Sequence, residues 1–269
     1  MSKIDRIDLT HLKTFAVDDL DAQEIDDALS LEVVGKDFNV WVHIADVTSF
    51  LKPESSIDYE ARNRASTIYL DSNTVNMLPI DILNLSSLQV GMRMEALSLK
   101  VNIDCDGYLT YYSIHPSLIS LNYRLSYEEA EELIDYAPKE EYEISKINDI
   151  MQKRRQFREG CGALIIDRSQ NKFVREDNKI KLIYRDLTNS RRMVSEAMIL
   201  MGEIAAKFAI KNQIPMIFRS QDLTKLPSNN ELKRFTELGI KDSIIIRMLS
   251  KSSLSTNPSS HFSLGIKAY

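Results

Sequence analysis

The sequence predicts an α+β fold, and two observations lead to that class. Segments with the composition of β-strands are grouped in the first half of the chain, whereas the long helical segments are grouped in the second half. The chain also has no internal repeat, so a solenoid or propeller is not indicated. Strands grouped in this way predict hairpins in one sheet rather than alternating βαβ units.

Hairpin patterns define the predicted strands. β-Favouring runs at 14–17 and 28–34 flank an acidic loop, and the turn-like residues 35–37 lead into the run NVWVHIA at 39–45. Turn residues mark two more hairpins in the same way. These hairpins join 94–103 to 108–114 across DCDG, and 172–175 to 179–184 across EDN.

Capping and breaking residues define the predicted helices, which are 55–65, 127–136, 140–159 and 190–213. Ser126 and Glu129 form a capping box before the second of these. Gly160 ends the third, and Pro215 stands just beyond the fourth. Serine, asparagine, threonine and proline dominate residues 250–260, which predicts a flexible loop.

Composition and charge limit the function classes. The chain has 269 residues, of which 43% are apolar and 27% charged, as is ordinary for a globular protein with a substantial core. No apolar run approaches the ~18 residues of a membrane span, so no membrane contact is expected. The net charge of −5 argues against a broad basic face for nucleic acid. Cys105 and Cys161 form no CxxC pair, so we expect two buried apolar side chains and a cytoplasmic protein.

The most informative segment is the acidic loop (residues 18–28), DDLDAQEIDDA, which has six carboxylates and no basic residue. Crowded carboxylates repel one another, so a loop of this kind between two strands favours a bound cation. Oxygen ligands suit Mg²⁺, Mn²⁺ or Ca²⁺ better than zinc. A solvated acidic loop is the alternative, and an EF-hand fits poorly because its glycine and its terminal glutamate are missing. A two-metal phosphodiester hydrolase fits the pattern.

Seven segments follow one another along the chain: FAVDDLDAQEIDDALS, WVHIADVTSFL, RNRASTIYL with NMLP, GMRMEALSLKVNIDCDG, YRLSYEEAEEL, RRMVSEAMILMGEIAAKF and HFSLGIKAY. In sequence and in order they resemble the blocks of the RNase II/RNase R superfamily, the RNB-domain exoribonucleases. The resemblance covers nearly the whole chain, from about Arg6 to Tyr269. One acidic motif would be a weak signal, whereas seven ordered blocks are a strong one.

The resemblance implies an RNB-type domain with a central mixed or antiparallel sheet surrounded by helices. It also implies hydrolysis of single-stranded RNA from the 3′ end to nucleoside 5′-monophosphates, with Mg²⁺ or Mn²⁺ and no organic cofactor. Four aspartates surround the metals in the family. Three of them fall on Asp18, Asp26 and Asp27, and the remaining position is Glu24, which keeps the charge and reaches one methylene further. These four residues are the predicted catalytic and metal-binding set.

The resemblance also assigns RNA contacts to Tyr69, Tyr127 and Glu196. Tyr69 aligns with a tyrosine that stacks on the 3′-terminal base, and stacking accepts any base. Tyr127 and Glu196 align with positions that hold the RNA end and recognise ribose, whose 2′-hydroxyl distinguishes RNA from DNA. Each residue has a plainer alternative: a strand tyrosine in the core for Tyr69, a packing residue for Tyr127, and an exposed helix acid for Glu196.

Other features bear on the RNA path. Arg192, with Arg191, stands at the start of the longest helix and is a predicted phosphate contact. Some family members have a second aromatic base-clamp residue near the segment GALII (162–166), where this chain has none. The basic cluster 153–155 is expected to face solvent. His43 and His261 are expected to be structural, because the histidines lack the spacing of a catalytic or metal site.

The family pattern also sets an expectation for the limits of the domain. In the family, a block like HFSLGIKAY precedes a segment whose arginine stabilises charge at the scissile phosphate, so residues 1–269 are expected to form a partial RNB domain. OB-type cold-shock and S1 domains are expected outside it, and a monomer is predicted. The main alternative is a catalytically weak RNB-like RNA-binding or regulatory protein, which Glu24 favours and the three aspartates disfavour. A metal hydrolase with another substrate would require the ordered blocks to be coincidence.

Overall fold

The fold is known from a computed structural model, which describes residues 4–35, 37–70, 74–166, 170–176, 179–185, 187–225, 227, 229–237 and 241–269. The strands are β1 (Ile7–Asp8), β2 (Thr14–Asp18), β3 (Asp27–Val34), β4 (Asp37–Ala45), β5 (Ile68–Tyr69), β6 (Thr74–Val75), β7 (Arg93–Ile103), β8 (Leu109–Ser120), β9 (Tyr123–Ser126), β10 (Gln170–Glu176), β11 (Lys179–Arg185), β12 (Phe218–Ser220) and β13 (Ser253–Ser255). The α-helices are α1 (Ser56–Arg64), α2 (Ile80–Ser86), α3 (Tyr127–Tyr136), α4 (Tyr142–Gly160), α5 (Asn189–Asn212), α6 (Asn229–Glu237) and α7 (Lys241–Met248).

A seven-stranded mixed sheet forms the centre of the molecule, with the order β1-β8-β7-β4-β3-β2-β9. The neighbours β3, β4, β7 and β8 are antiparallel, whereas β1 on β8 and β9 on β2 are parallel. The parallel pair of β2 and β9 brings Asp18 opposite Ser126, the residue that caps α3. The sheet therefore places the start of α3 beside the start of the acidic loop.

One face of the sheet packs against α3, α4 and α5. Apolar residues on α5 recur with helical spacing, at Met193, Ala197, Leu200 and Ile204, and all four are nearly or fully buried. They join the inward residues of β3, β4 and β7 in one core cluster. Each fully buried leucine or isoleucine there contributes about 1.5–3 kcal/mol of transfer free energy, so this cluster is the main source of stability.

The other face of the sheet carries a second core cluster and a row of polar groups. Trp41 and small residues of the strands pack there against Leu9, Leu12 and Leu88 from the connecting segments. We call the fully buried residues that cross β3, β4, β7 and β8 the hydroxyl–imidazole row, and they are Ser30, His43, Ser98 and Ser117. Oxygens and ring nitrogens link them at 2.5 Å, 2.6 Å and 2.5 Å in that order. The structural role predicted for His43 agrees with this burial.

The structure confirms the α+β class, the mixed sheet and the hairpins β3–β4, β7–β8 and β10–β11. Of the predicted turn residues, Lys36, Asp177 and Asn178 lie outside the described residues. The capping box is confirmed, with Ser126 accepting from the Glu129 amide and the Glu129 carboxylate accepting from the Ser126 amide. No helix within the described ranges is long and apolar enough to cross a membrane.

Some predictions were wrong. Residues 250–260 are not entirely loop, because Ser253–Ser255 pairs with Phe218–Ser220 as a short antiparallel strand. Both cysteines are exposed, since Cys105 lies in the β7–β8 turn and Cys161 follows the end of α4. The cluster at 153–155 does not face solvent throughout, because Arg154 is buried in an ion pair with Glu203.

Candidate functional site

The acidic loop joins β2 to β3, near the edge of the sheet that β9 forms. Asp18 is the last residue of β2 and Asp27 is the first of β3, so both backbones are fixed by strand pairing. β2 and β3 pair at Thr14 with Ser30 and at Phe15 with Leu29. If the same residue-by-residue register is extended along both strands, Asp18 lies opposite Asp26. The sheet thus brings the two ends of the acidic loop together.

The C-terminal half of the acidic loop is pinned to the protein behind it. The Ile25 side chain is buried, and its amide donates to the Ser87 hydroxyl at 2.8 Å. The Leu88 amide donates to the Ile25 carbonyl at 2.9 Å, and the Ala45 amide donates to the Asp26 carbonyl at 2.8 Å. These bonds hold Glu24, Asp26 and Asp27 in a fixed backbone frame, although the carboxylates repel one another.

The N-terminal half of the acidic loop is held by its own turn and by two arginines. The Asp19 amide donates to the Asp18 carboxylate at 2.7 Å, and the Ala22 amide donates to the Asp19 carbonyl at 3.0 Å. Arg124 on β9 donates to the Ala22 carbonyl. Arg191 on α5 reaches the Asp19 carboxylate at 3.0 Å. Both cations therefore contact the N-terminal half of the loop, where their charges also act on Asp18.

Burial and mutual repulsion perturb all four predicted metal ligands. Burial, followed by the charges of Asp18 and Asp26, raises the pKa of Asp27 to about 6. Desolvation raises the pKa of Asp18, and the nearby arginines only partly offset it. The pKa of Asp26 is raised by desolvation and by Asp18, and that of Glu24 by desolvation and by Asp26. Carboxylate charges therefore connect Glu24 with Asp26, Asp26 with Asp18, and Asp27 with both aspartates.

The donor chemistry of this group fits a hard divalent cation, because four carboxylates that disfavour their own charge are stabilised by a positive ion. The spacing is not that of a closed site. Among the residues that the structure describes, no three His, Cys, Asp or Glu side chains are arranged to hold a metal ion. Repulsion between unneutralised carboxylates is a physical reason for this separation.

A cavity of about 310 Å³ opens beside Glu24 and Asp26. Its walls combine apolar side chains with the hydroxyls of Thr67, Ser86 and Ser87. Its apolar lining residues are Ile44, Ala45, Val47, Met77, Leu78 and Leu83. A recess with apolar walls and a few hydroxyls suits a flat ring with a polar edge.

Tyr69 stands beside this region at the end of the short strand β5. Its side chain is 76% exposed, so the core-tyrosine alternative is wrong. Partial desolvation and the charges of Glu24, Asp26 and Asp18 raise the pKa of its hydroxyl, which shows that the ring lies near the acidic loop. An exposed aromatic ring next to the carboxylates is placed where a base could stack on it, and the stacking role remains a prediction.

Tyr127 is the first residue of α3 and is half-buried. Burial and the charges of Asp18 and Asp27 raise the pKa of its hydroxyl to about 12. The Arg191 guanidinium carbon lies 3.9 Å from the centre of its ring. The structure thus brings Tyr127 to the N-terminal side of the acidic loop, and its predicted contact with RNA is not tested by this placement.

Glu196 does not lie exposed on α5, so that alternative is wrong. Its carboxylate is buried and receives two hydrogen bonds from Arg158 of α4, at 2.7 Å and 2.5 Å. Arg158 also donates to the Leu264 carbonyl at 2.8 Å, which ties the C-terminal segment to both helices. Sequence patterns did not reveal Arg158, because nothing in α4 indicates a partner 38 residues away. The ribose contact of Glu196 stays a prediction.

Arg192 lines a second cavity, of about 300 Å³, between α4 and α5. Arg155, Gln152, Gln156 and Asn189 lie on the same walls. The segment GALII contacts the C-terminal block, since the Leu164 amide donates to the Ser263 carbonyl at 2.9 Å. The phosphate contact predicted for Arg192 is neither supported nor excluded by its position in this cavity.

The profile of the RNB domain family matches residues 6–269. An uncharacterised ribonuclease of Synechocystis sp. is 35% identical over 269 residues, which cover 98% of this chain and 40% of that protein. The chloroplastic/mitochondrial ribonuclease II of Arabidopsis thaliana is 33% identical over 276 residues, covering 98% of this chain and 34% of that protein. The chain therefore spans less than half the length of these relatives.

Solved structures show the same fold. Mycoplasma genitalium RNase R in complex with ribose-methylated single-stranded RNA aligns with a TM-score of 0.86 at 22% identity, covering 98% of this chain and 47% of that one. Yeast Ssd1, described as a pseudonuclease, aligns with a TM-score of 0.71 at 18% identity, covering 98% and 37%. At such identities the likeness concerns the fold alone. The family match over nearly the whole chain, and relatives above 30% identity, place this chain in the RNB domain family.

Proposed function

We propose that this chain is part of the catalytic domain of a 3′-to-5′ exoribonuclease that hydrolyses single-stranded RNA to nucleoside 5′-monophosphates with Mg²⁺ or Mn²⁺. One observation supports it most strongly. Four carboxylates of an RNB-family member lie at the junction of β2 and β3, and desolvation together with neighbouring carboxylate charges raises the pKa of each. A partly desolvated cluster of like charges without a cation would only destabilise the fold, so a site that binds cations explains the arrangement better.

In this proposal Asp18, Glu24, Asp26 and Asp27 provide the oxygen ligands. Cations bound there would supply an activated water molecule and stabilise the departing oxygen. Tyr69 stacks on the terminal base. The Tyr127 hydroxyl, with its pKa raised to about 12, stays protonated at neutral pH and donates a hydrogen bond to the RNA.

The proposal extends to recognition of ribose. Arg158 fixes the Glu196 carboxylate in one plane through two hydrogen bonds, so the direction of its remaining lone pairs is set. A carboxylate held in this way can accept from a 2′-hydroxyl, which DNA lacks. We therefore propose that the chain discriminates against DNA. We also propose a monomer that works in the cytoplasm, which gel filtration and localisation of a tagged protein would test.

The alternative is a catalytically weak RNB-like protein that binds or regulates RNA. Two observations favour it: Glu24 occupies a position that is usually aspartate in the family, and the described carboxylates do not form a closed metal cluster. Both proposals predict RNA binding. They differ in whether products form.

The test uses single-stranded RNA with Mn²⁺, labelled at the 5′ end to follow the shortened fragments on a sequencing gel and, in parallel, labelled uniformly to identify the released nucleotides. The proposed function predicts a ladder from the 3′ end and release of nucleoside 5′-monophosphates, with no products in EDTA. Asp27→Asn should abolish the products, whereas Asp21→Asn, the same charge change in the same loop, should retain them. DNA of the same sequence should stay intact. A shifted RNA band without products in wild-type protein would support the alternative instead.

A further inference from the structure

Arg191 contacts both Tyr127 and the acidic loop, two parts of the site that lie far apart in the sequence. Its guanidinium lies over the Tyr127 ring, with the central carbon 3.9 Å from the ring centre. One of its nitrogens also reaches the Asp19 carboxylate at 3.0 Å and the Glu128 carboxylate at 3.8 Å. Its side chain is only 10% exposed, and the Asp19 side chain is 27% exposed, so the contact with Asp19 is partly shielded from water, whereas Glu128 is exposed. An exposed surface ion pair would contribute little, whereas a shielded one with a ring contact contributes more.

The frame around Arg191 is rigid. The amides of Asn189 and Ser190 donate to the Glu131 carboxylate at 3.0 Å and 2.6 Å, and the Ser190 hydroxyl donates to the Tyr127 carbonyl at 2.9 Å. These bonds join the first turn of α5 to α3. Arg191 therefore extends from a fixed base, and its position is set by the fold rather than by the acidic loop.

A short path leads from Arg191 to a predicted metal ligand. Arg191 holds the Asp19 carboxylate, and the Asp19 amide donates to the Asp18 carboxylate at 2.7 Å. A displacement of Asp19 would therefore move a hydrogen-bond donor of Asp18. The Arg191 charge also acts on Asp18, in the direction that favours its ionised form.

We propose that Arg191 is a positioning residue that holds Tyr127 against the acidic loop and serves as the built-in counter-cation of that loop. The assignment rests on the proposed function, because it concerns a loop that binds metal and a tyrosine that contacts RNA. It gives Arg191 two effects of opposite sign. Its charge competes with an incoming cation, whereas its contact with the ring supports RNA binding.

Arg191→Gln separates these two effects. Removing one positive charge within a few ångströms of the loop should tighten binding of Mn²⁺ roughly 3- to 10-fold, by Coulomb attraction in a solvent-rich site. The same change frees the Tyr127 ring and should weaken RNA binding roughly 3- to 10-fold. A residue that merely maintains the fold would weaken both when replaced, so the opposite signs identify the proposed role.

The experiment measures Mn²⁺ binding by calorimetry and binding of a fluorescent single-stranded RNA by anisotropy in EDTA, both on the 269-residue chain. Arg124→Gln is the matched control, because Arg124 also contacts the loop and acts on Asp18 but contacts Tyr127 in no described interaction. It should tighten Mn²⁺ binding similarly and weaken RNA binding less. Arg191→Lys keeps the charge and loses the flat guanidinium, so Mn²⁺ binding should stay and RNA binding should fall.

Weaker Mn²⁺ binding in Arg191→Gln, or an RNA loss equal to that of Arg124→Gln, would overturn the assignment. If Arg191→Gln fails to fold by circular dichroism, Arg191→Lys decides: unchanged binding of both ligands overturns the proposal. Wild-type protein that binds neither Mn²⁺ nor RNA would instead refute the proposed function, and the role of Arg191 with it.

Discussion

The acidic loop and the hydroxyl–imidazole row share strand β3, yet the polar groups of the two regions have opposite surroundings. Along β3, Asp27 and Ser30 are three residues apart, or about 10 Å. In the row, each side chain from Ser30 to Ser117 has a hydrogen-bond partner, and the last hydroxyl donates to the Ala96 carbonyl at 3.1 Å. In the loop, partly desolvated carboxylates lie next to like charges: Asp18 raises the pKa of Asp26, and both raise the pKa of Asp27.

The difference indicates which region serves stability and which serves function. Buried polar groups that are fully hydrogen-bonded cost little and fix a unique register. Like charges held together by the backbone weaken the fold, so proteins retain them where a ligand compensates. The backbone hydrogen bonds of Ile25 and Asp26 support this, because they hold the loop in place against its own repulsion.

The two regions also respond to pH in opposite directions. Burial lowers the pKa of His43 to about 3, below its unfolded value near 6.5, so its contribution to stability is complete above pH 6.5 and is lost as the pH falls. The pKa of Asp27 is raised to about 6, above its unfolded value near 3.8. Its ionisation therefore destabilises the fold as the pH rises from about 4 to about 6.

The largest expected effect on stability comes from replacing His43 in the hydroxyl–imidazole row. His43→Leu removes two hydrogen bonds and leaves the buried Ser30 hydroxyl without its partner, which should cost about 2–4 kcal/mol at pH 7. Between pH 7 and pH 5 the wild type should lose about 2 kcal/mol through His43, and the variant should not show this loss. Urea unfolding at both pH values measures it. An equal pH dependence in both proteins would show that His43 is not the buried neutral group described above.

Removing a charge from the acidic loop should change the stability in the opposite direction. Asp27→Asn removes a charge that the fold disfavours, so the metal-free protein should become more stable by up to about 3 kcal/mol at pH 7.5. The gain should disappear at pH 4, where Asp27 is largely protonated. Mn²⁺ should stabilise the wild type and barely affect the variant.

Asp21→Asn is the control for this pair of measurements, because Asp21 is in the same loop but outside the predicted ligand set. It should change the free energy of unfolding by less than about 0.5 kcal/mol. Calorimetric titration should likewise show an Mn²⁺ affinity close to that of the wild type for Asp21→Asn and a weaker affinity for Asp27→Asn. Equal Mn²⁺ affinities of wild type and Asp27→Asn would refute the assignment of Asp27 as a ligand.

A smaller effect concerns the exposed side of the site. Tyr69→Ala should weaken RNA binding by about 1–3 kcal/mol, because a stacking ring is lost, and Tyr69→Phe should be nearly neutral. Neither change should alter stability, since the ring is 76% exposed. Tyr136→Ala, which removes an equally exposed ring at the far end of α3, should leave RNA binding unchanged. If Phe were as damaging as Ala, the hydroxyl would matter and stacking would be the wrong explanation.

The contrast between loop and row also marks what the sequence could predict. Hairpins, the capping box and the acidic loop depend on neighbouring residues, so local patterns were enough. The row was not predicted, because Ser30, Ser98 and Ser117 are ordinary strand serines until the register aligns them. The ion pair of Arg158 with Glu196 was missed for the same reason: it depends on how α4 and α5 pack. The exposure of both cysteines was missed because residue type alone favours burial.

The smallest expected effect tests Glu24, the one departure of the loop from the family pattern. The backbone next to Glu24 is pinned through Ile25 and Asp26, so it cannot follow a shorter side chain toward the other carboxylates. Glu24→Asp should therefore weaken Mn²⁺ binding less than tenfold, or less than about 1.4 kcal/mol, since the charge is kept. Glu24→Gln, which keeps the length and removes the charge, should weaken it more. Calorimetry on the two variants separates the effect of side-chain length on Mn²⁺ binding from the effect of charge. If Glu24→Asp bound Mn²⁺ more than tenfold tighter than the wild type, the longer side chain would hold the site open, and the catalytically weak RNA-binding protein would become the better account of this chain.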